Sequence, residues 1–229
     1  MELFKKYAAV NLESHSVREI KFARARYGVL KAFVDELRTV SYEDIRIKDL
    51  CRRAEISEPS FYNYFPKKEH LFLYYIGLWG VDVQLHMKDL RPGLTRIYEL
   101  FQYTGDYASK NANLLMEIIA YQARTNTIKS AKEIAPLTAA EKRIVFGNEP
   151  NIDSFSDQGL GPILKENIRE AILSGELPKT TSVDTLLMTL ASVFFGLPVL
   201  ILHEPSTSLS GYYKKVLQSI LPLPSRRKK

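Results

Sequence analysis

The chain has 229 residues, of which 45% are hydrophobic and 25% are charged, a composition typical of a globular protein with one large or two small domains. A single cysteine, Cys51, excludes an intrachain disulfide and any cluster of thiolates around a metal ion. The net charge of +6 lies at the two ends: residues 1–80 carry 14 Lys and Arg against 11 Asp and Glu, and residues 226–229 are all basic. We therefore expect the N-terminal part to contact nucleic acid and the nearly neutral centre to contact a small molecule or a protein.

Two helices are predicted before residue 40. A short one can form within residues 1–13, and the sequence assigns it no task. The sequence Ser16-Val17-Arg18-Glu19 is a capping box, which predicts that a long helix begins there and runs to about residue 38. Four basic side chains lie near its start: Arg18, Lys21, Arg24 and Arg26. They either contact phosphates or the minor groove of DNA, or form a solvated face, and the sequence leaves both interpretations open.

A pair of short helices is predicted over residues 46–65. The first has one apolar face, formed by Ile47, Leu50, Cys51 and Ala54. Ser57 is a suitable N-cap for the second, in which Phe61 and Phe65 lie four residues apart and face the core. The other side chains of the second helix point outward or sideways: Ser60, Tyr62, Asn63 and Tyr64. Two short helices joined in this way form a helix-turn-helix, which places its second helix in the major groove, unless the pair is only a helical hairpin with buried rings.

Residues 57–71, SEPSFYNYFPKKEHL, resemble the signature of TetR-family (tetracycline-repressor-like) transcriptional regulators. The most specific matches are Tyr62-x-Tyr64-Phe65 and Lys68-Glu69-x-Leu71. The resemblance implies an all-α fold and a homodimer. It also implies a three-helix DNA-binding domain within residues 1–66 and a helical ligand-binding and dimerisation domain over residues 67–229.

The same resemblance implies which positions contact DNA. Ser60 stands at the position of the family's phosphate-contacting threonine, and Lys68 matches a phosphate-contacting lysine. Tyr62 and Asn63 match positions that contact the DNA backbone and the bases. With the neighbouring hydroxyls and cations, the expected DNA-binding residues are Lys48, Ser57, Ser60, Tyr62, Asn63, Tyr64, Lys67 and Lys68.

The chain departs from the family pattern at four positions. Glu55 replaces the usual turn glycine, and Pro59 replaces a glycine of the second short helix. Arg46 and Lys67 stand where a serine or threonine usually caps the second and fourth helices. We therefore expect a corner that is either strained or shaped differently, and these departures leave the operator sequence and the exact placement of the helices open.

Three further helices are predicted over residues 67–88, 94–109 and 111–125. The candidate ligand-binding residues in the last two are Tyr98, Phe101, Leu115, Ile119 and Gln122. They line an apolar pocket with a few polar tips, or they are plain core between helices. Residues 126–158 are the least regular part, with a capped helix expected over 138–146 and then a loop that can cover a pocket entrance.

Two helices near residues 160–174 and 183–202 resemble the dimerising pair of TetR-family proteins. The second is apolar nearly all round and long enough to span a membrane. We favour a dimer interface without a membrane, because Asp184 lies near its start, Gly196 and Pro198 interrupt it and basic flanks are missing. A last helix over 209–221 precedes the basic tail, which is interpreted as solvated in preference to a DNA-contacting arm.

These observations predict a dimeric, ligand-responsive transcriptional regulator. In its most direct form it is a repressor that binds a palindromic operator in double-stranded DNA and is released by a small, largely apolar ligand. The alternative is a helical small-molecule-binding module without DNA affinity. We expect no enzymatic activity, cofactor or metal, because the sequence has no Gly-x-Ser-x-Gly elbow, no phosphate-cradling glycine loop and no metal-ligand spacing among its four histidines. Without a recognisable secretory signal, the expected location is the cytoplasm.

Overall fold

The structure is a computed structural model that describes residues 10–125, 135–201 and 208–223. Within these ranges it contains ten α-helices, one short 3-10 helix and no β-strand, so the all-α prediction is confirmed. Residues 1–9 of the short helix expected within 1–13 and the basic tail at 226–229 lie outside the described residues. The helices are α1 (Val17–Glu36), α2 (Ile47–Arg53), α3 (Glu58–Tyr64), α4 (His70–His86), α5 (Leu94–Ala108), α6 (Ala112–Arg124), α7 (Ala139–Phe146), the 3-10 helix (Ile152–Ser154), α8 (Leu160–Leu173), α9 (Val183–Ile201) and α10 (Leu209–Ile220).

The chain folds into two compact units. The N-terminal unit comprises residues 2–82 and 117–157, and the C-terminal unit comprises residues 83–116 and 158–229. The division falls within α4 and α6, so each of these two helices contributes one part to each unit. The domain boundary expected after residue 66 stays a prediction.

The first helix, α1, begins at the capping box that its sequence predicts. The Ser16 hydroxyl accepts a hydrogen bond from the Glu19 N–H at 3.2 Å, and the Glu19 carboxylate accepts one from the Ser16 N–H at 2.8 Å. The Ser16 hydroxyl, and then the Ser16 N–H, lower the pKa of the Glu19 carboxyl. The helix ends at Glu36, close to the expected end, and its buried apolar side chains are Ala23, Val29, Leu30, Ala32, Phe33 and Val34.

Aromatic rings build the core of the N-terminal unit. The ring of Phe72 in α4 has its centroid 5.3 Å from that of Phe33, 5.1 Å from that of Tyr42 and 5.4 Å from that of Tyr121. These rings come from α1, from the segment before α2, and from α6. Large buried rings contribute most of the packing energy of a small core, so this cluster fixes the helices of the unit against one another.

In the C-terminal unit, α5 packs closely on α10. The ring of Phe101 lies edge-on to the rings of Phe194 and Tyr213, at centroid distances of 5.4 Å and 5.0 Å. The buried Tyr213 hydroxyl donates a hydrogen bond to the Phe194 carbonyl at 2.6 Å. Burial raises the pKa of the Tyr213 phenol far above its ordinary value, so this hydroxyl remains a donor.

The corner between α4 and α5 is fixed by side chains that follow in the sequence. Gly93 has φ 101° and donates its N–H to the side-chain carbonyl of Asn167 at 3.2 Å. The first N–H of α5, from Leu94, donates to the Glu176 carboxylate at 3.0 Å. A carboxylate at a helix N-terminus compensates the partial positive charge there, so Glu176 caps α5 from outside the helix.

The helix α9 is apolar on most of its surface and is mostly exposed in the single chain. By length and composition alone it passes as a membrane span, and only 17% of its most apolar window is buried. The Met188 side chain is 67% exposed and that of Leu200 is 77% exposed, beside Leu173 of α8 at 80%. Exposed apolar side chains of this size are unusual on a solvated surface and indicate a surface that something covers.

Candidate DNA-binding surface

The turn between α2 and α3 is a Schellman motif with a glutamate in place of the usual glycine. The Ile56 N–H donates to the Cys51 carbonyl at 3.0 Å, and the Glu55 N–H donates to the Arg52 carbonyl at 3.4 Å. Glu55 has φ 55°, in the left-handed region that costs a residue with a Cβ atom about 1–2 kcal/mol. The corner expected to be strained by this substitution is therefore of ordinary shape and carries the strain at one residue.

The start of α2 lacks a side-chain cap, as the arginine at position 46 predicts. Arg46 occupies the N-cap and its side chain makes no capping hydrogen bond. Asp49 lies in the first turn and forms an ion pair with Arg52 at 2.9 Å. Lys48 is exposed on the same short helix, so its ammonium group is accessible to a phosphate.

The second short helix, α3, is capped and anchored as its sequence predicts. Ser57 accepts a hydrogen bond from the Ser60 N–H at 3.2 Å, and the two hydroxyls lie 2.9 Å apart. Phe61 and Phe65 are fully buried, with ring centroids 5.6 Å apart. Because one face of α3 is anchored in this way, its opposite face has a fixed orientation.

The opposite face of α3 presents polar and aromatic groups. Tyr62 is 49% exposed, and Asn63 is also exposed. Tyr64 is half-buried and its ring meets that of Phe22 edge-on at 5.2 Å. An amide and phenols on a short exposed helix match the donors and acceptors that base edges and phosphates offer in a major groove.

An open cleft joins this face to the first turns of α1. The residues that line it are Val17, Arg18, Lys21, Phe22, Asn63 and Tyr64. Arg18 and Lys21 are exposed, so two cations stand beside the polar end of α3. The structure thus places part of the basic cluster expected near the start of α1 next to the expected DNA-binding residues.

The two lysines after α3 have different environments. Lys67 is exposed, whereas Lys68 is half-buried and donates to the carbonyls of Tyr42 at 2.7 Å and Ile45 at 2.9 Å. Its ammonium nitrogen also lies 4.2 Å from the centre of the Tyr42 ring, and burial lowers the pKa of the Lys68 amine. Lys68 therefore ties the segment before α2 to the start of α4, and its expected phosphate contact stays a prediction.

The profile described as "Bacterial regulatory proteins, tetR family" matches residues 29–75, from the second half of α1 to the second turn of α4. This segment of the chain is a TetR-family N-terminal segment. The match includes the capped α3 and the turn before it, where the geometry of a helix-turn-helix is complete. No curated protein matches the chain in sequence.

Solved TetR-family structures share the fold over nearly the whole chain. FadR from Thermus thermophilus, a TetR-family transcriptional repressor in complex with lauroyl-CoA, aligns with TM-score 0.60 and 19% identity over 89% of this chain and 97% of its own. FadR from Bacillus subtilis, in complex with stearoyl-CoA, aligns with TM-score 0.61 and 15% identity over 85% and 96%. A TetR regulator from Rhodococcus sp. RHA1 gives TM-score 0.56 and 14% identity over 88% and 98%. At these identities the similarity establishes the fold, so the C-terminal region of the chain is a TetR-like helical region.

One member of the basic cluster in α1 is not available to DNA. Arg26 is fully buried, and its Nη1 atom forms an ion pair with the Glu141 carboxylate at 3.1 Å. The prediction of a solvated or phosphate-contacting side chain is wrong for Arg26. Its spacing of three residues from Val29 and four from Leu30 places Arg26 on the apolar face of α1, a signal in the sequence from which its burial could have been predicted. The helix α7, which follows far later in the sequence, covers that face.

The expected ligand-binding residues fall into both units, and the structure describes them separately. In the C-terminal unit, Phe101 is fully buried, Leu115 is buried, and the Tyr98 hydroxyl donates to the Leu221 and Pro222 carbonyls at 3.4 Å. Ile119 and Gln122, in the N-terminal unit, are half-buried. Their joint role in binding a ligand stays a prediction.

Within residues 10–125, 135–201 and 208–223, no group of three or more His, Cys, Asp and Glu side chains is arranged to hold a metal ion.

Cys51 is buried on α2. Burial, and then the charge of Glu58, raise the pKa of its thiol. The thiol is therefore protonated at neutral pH and unreactive.

Proposed function

We propose that the chain is a dimeric, ligand-responsive repressor that binds a palindromic operator through α3. The observation that carries this proposal is the asymmetry of α3: Phe61 and Phe65 are fully buried while Tyr62 and Asn63 face solvent beside Arg18 and Lys21. A helix anchored by one face and polar on the other can enter a major groove without reorganising. The cations beside it supply the phosphate contacts that provide most of the affinity.

The proposed dimer forms through α8 and α9. Their exposed apolar side chains, among them Leu173, Met188 and Leu200, provide a hydrophobic surface that two copies cover mutually. Lys165 of α8 forms an ion pair with Asp184 of α9 at 3.1 Å, which links the two helices of the proposed interface. Two copies related by a two-fold axis present two α3 helices to half-sites about one helical turn apart.

The proposed effector is a fatty acyl thioester of coenzyme A. Two regulators that share this fold over most of both chains were obtained with lauroyl-CoA and stearoyl-CoA. An acyl chain also satisfies the expectation of a largely apolar ligand, which Tyr98, Phe101, Leu115, Ile119 and Gln122 are proposed to contact. Binding of the effector lowers the affinity for DNA by a coupling free energy of about 1–3 kcal/mol.

The DNA-binding proposal is tested with the full chain and a random-sequence duplex library. Selection by the protein should yield a two-fold symmetric sequence, and binding of that duplex should weaken steeply as the salt concentration rises. Failure to enrich any sequence, together with salt-insensitive duplex binding, would refute the repressor. The outcome would then favour the alternative, a helical small-molecule-binding module without DNA affinity.

The effector proposal is tested by displacement from the selected duplex. Lauroyl-CoA and stearoyl-CoA should release the protein from DNA and raise its melting temperature, whereas free coenzyme A and free laurate should do neither at the same concentration. If coenzyme A alone has the full effect, the acyl chain is not the recognised group. We also propose that the protein is cytoplasmic and has no enzymatic activity. Turnover of the acyl thioester during this assay would contradict the absence of enzymatic activity.

A further inference from the structure

The buried pair of Arg26 and Glu141 connects α7 to the helix that carries the proposed DNA contacts. Both side chains are 0% exposed, and Arg26 Nη1 lies 3.1 Å from Glu141 Oε1. Both residues belong to the N-terminal unit. A buried ion pair seldom adds net stability over apolar packing, so its presence calls for a role other than stabilisation.

The guanidinium group of Arg26 stands among three aromatic rings. Its central carbon lies 4.3 Å from the centre of the Tyr74 ring and 5.2 Å from the centres of the Phe22 and Phe65 rings. Phe65 is the C-cap of α3, and Phe22 packs edge-on against Tyr64, the last residue of α3. Arg26 therefore contacts the end of α3 directly through Phe65 and indirectly through Phe22.

Glu141 is the fixed partner in the pair. Its Oε2 atom accepts hydrogen bonds from the Thr138 N–H at 2.8 Å and from the Thr138 hydroxyl at 3.0 Å, which closes the capping box of α7. Its other oxygen, Oε1, is left to face Arg26. Among the residues that the structure describes, none of the three guanidinium nitrogens of Arg26 has a hydrogen-bond partner, and neither has Glu141 Oε1. The contact of 3.1 Å between Nη1 and Oε1 is therefore an ionic one, and it is the contact that orients the guanidinium group.

The helix α7 is itself held from the segment that follows it. Lys142 donates from its ammonium group to the carbonyls of Asp153 at 3.2 Å and Phe155 at 2.6 Å. Arg143 forms an ion pair with the Asp153 carboxylate at 2.8 Å, and the Leu137 N–H donates to the Asp157 carboxylate at 2.8 Å. The Lys142 contacts with backbone carbonyls set the position of Glu141, whereas the Arg143–Asp153 ion pair is partly exposed and contributes little to it.

From these contacts we propose that Glu141 is a positioning residue for α3. It orients the Arg26 guanidinium against the rings of Phe65, Phe22 and Tyr74, and this orients and orders the C-terminal end of α3. The inference rests on the proposed function for its effect on DNA binding. Its effect on the order of α3 is a property of the free protein and does not depend on that function.

The test compares Glu141→Gln with Asp153→Asn. The first keeps the size of the side chain and a capping acceptor but leaves Arg26 without its counter-charge. The second removes an ion pair of the same helix α7 that makes no contact leading to α3, so it is the matched control. Hydrogen exchange of the amides of residues 58–65, apart from Pro59, is measured in the free full-length protein, and affinity is measured on the duplex that the wild-type protein selects.

In Glu141→Gln, the amides of residues 58–65 should exchange about tenfold faster than in the wild type, because α3 opens locally more often. The selected duplex should be bound about tenfold more weakly, since α3 must be ordered in the complex. Asp153→Asn should leave both quantities unchanged within about twofold, as expected of a surface ion pair. Equal effects of the two variants, or a lowered melting temperature in Glu141→Gln with unchanged exchange in residues 58–65, would overturn the proposal.

A double variant separates positioning from mere stability. Arg26→Met combined with Glu141→Gln removes the unpaired buried charge and should restore the melting temperature. It also removes the cation between the rings, so fast exchange in residues 58–65 and weak duplex binding should persist. Return of both the exchange rates in residues 58–65 and the duplex affinity to the wild-type values would show that the pair only stabilises the fold. If the wild-type protein selects no duplex, the proposed function fails, and the exchange measurement alone decides the inference.

Discussion

The backbone of Ser210 occupies the space that a side chain on Gly105 would need. A Cβ atom at Gly105 would lie 2.8 Å from both the Cα and the N atoms of Ser210, which are backbone atoms of α10. Such close approach lets α5 and α10 pack with their backbones nearly in contact and brings Phe101 against Tyr213. The core of the C-terminal unit therefore depends on a residue without a side chain.

Gly105→Ala should lower the free energy of unfolding by about 1–3 kcal/mol, because the methyl group forces α10 away from α5. The measurement is urea unfolding followed by circular dichroism. The control is Gly28→Ala in α1, where a Cβ atom would lie 3.7 Å from the Ala54 Cβ, an ordinary contact. That change should be neutral or stabilising by up to about 1 kcal/mol. Equal stability of the two variants would show that α5 and α10 do not pack as described.

Glu55→Gly should stabilise the protein. Glycine removes the cost of φ 55°, and this gain exceeds the entropy that glycine adds to the unfolded chain, so we expect a net increase of about 0.5–1 kcal/mol. Glu55→Ala keeps the Cβ atom and should give no such increase, which separates the backbone effect from the loss of charge. An equal gain from both substitutions would assign the effect to the carboxylate.

Tyr62→Ala and Lys68→Met should both weaken binding of the selected duplex while leaving the dimer intact, but they should differ in stability. Because Tyr62 is half exposed, Tyr62→Ala should weaken DNA binding by about 1–3 kcal/mol with almost no change in the free energy of unfolding. Lys68→Met removes two hydrogen bonds to buried carbonyls and should also cost about 1–3 kcal/mol of folding stability. Gel-shift affinities and urea midpoints measure the two effects. Unchanged affinity in both variants would contradict the proposed binding surface.

Met188→Glu should dissociate the proposed dimer, because a carboxylate cannot be buried in an apolar interface without a partner. Met188 is 67% exposed in the single chain, so the substitution should leave the fold of the protomer unchanged. Sedimentation velocity measures the assembly, and Val40→Glu, at an exposed valine of the N-terminal unit, is the control. A wild-type protein that sediments as a monomer would contradict the interface outright.

Glu117→Gln should stabilise the protein at neutral pH. Burial, and then the charge of Glu43, raise the pKa of the Glu117 carboxyl in the folded protein. Because the folded state holds this proton to a higher pH than the unfolded chain, ionisation of Glu117 costs stability. The cost is absent below the ordinary pKa of a glutamate and complete above the raised value. The stability difference between the variant and the wild type should therefore grow as the pH rises from about 4 to 7, as measured by urea unfolding at each pH. Glu170→Gln, at an exposed position, should show no such growth.

The amino-acid sequence determined the local features of this protein. Capping at Ser16, Ser57 and Thr138, the anchoring of α3 by Phe61 and Phe65, and the apolar α9 all follow from residues within a few positions of one another. Helix periodicity and capping are short-range properties, so a single sequence contains them completely. The unusual residue at Glu55 was also visible, although the hydrogen bonds that preserve the turn around it were not.

The tertiary structure alone decided which groups the cations Arg26 and Lys68 contact. Arg26 lies at helical spacing from Val29 and Leu30 on the apolar face of α1, but only the tertiary structure identifies α7 as its cover and Glu141 as its partner. Lys68 similarly carries a charge suited to phosphate but donates to two backbone carbonyls. Partners of this kind are distant in the chain, so the sequence can place a cation on an apolar helix face but cannot name the group that pairs with it. Only the packing of helices against one another sets the nearest counter-charge.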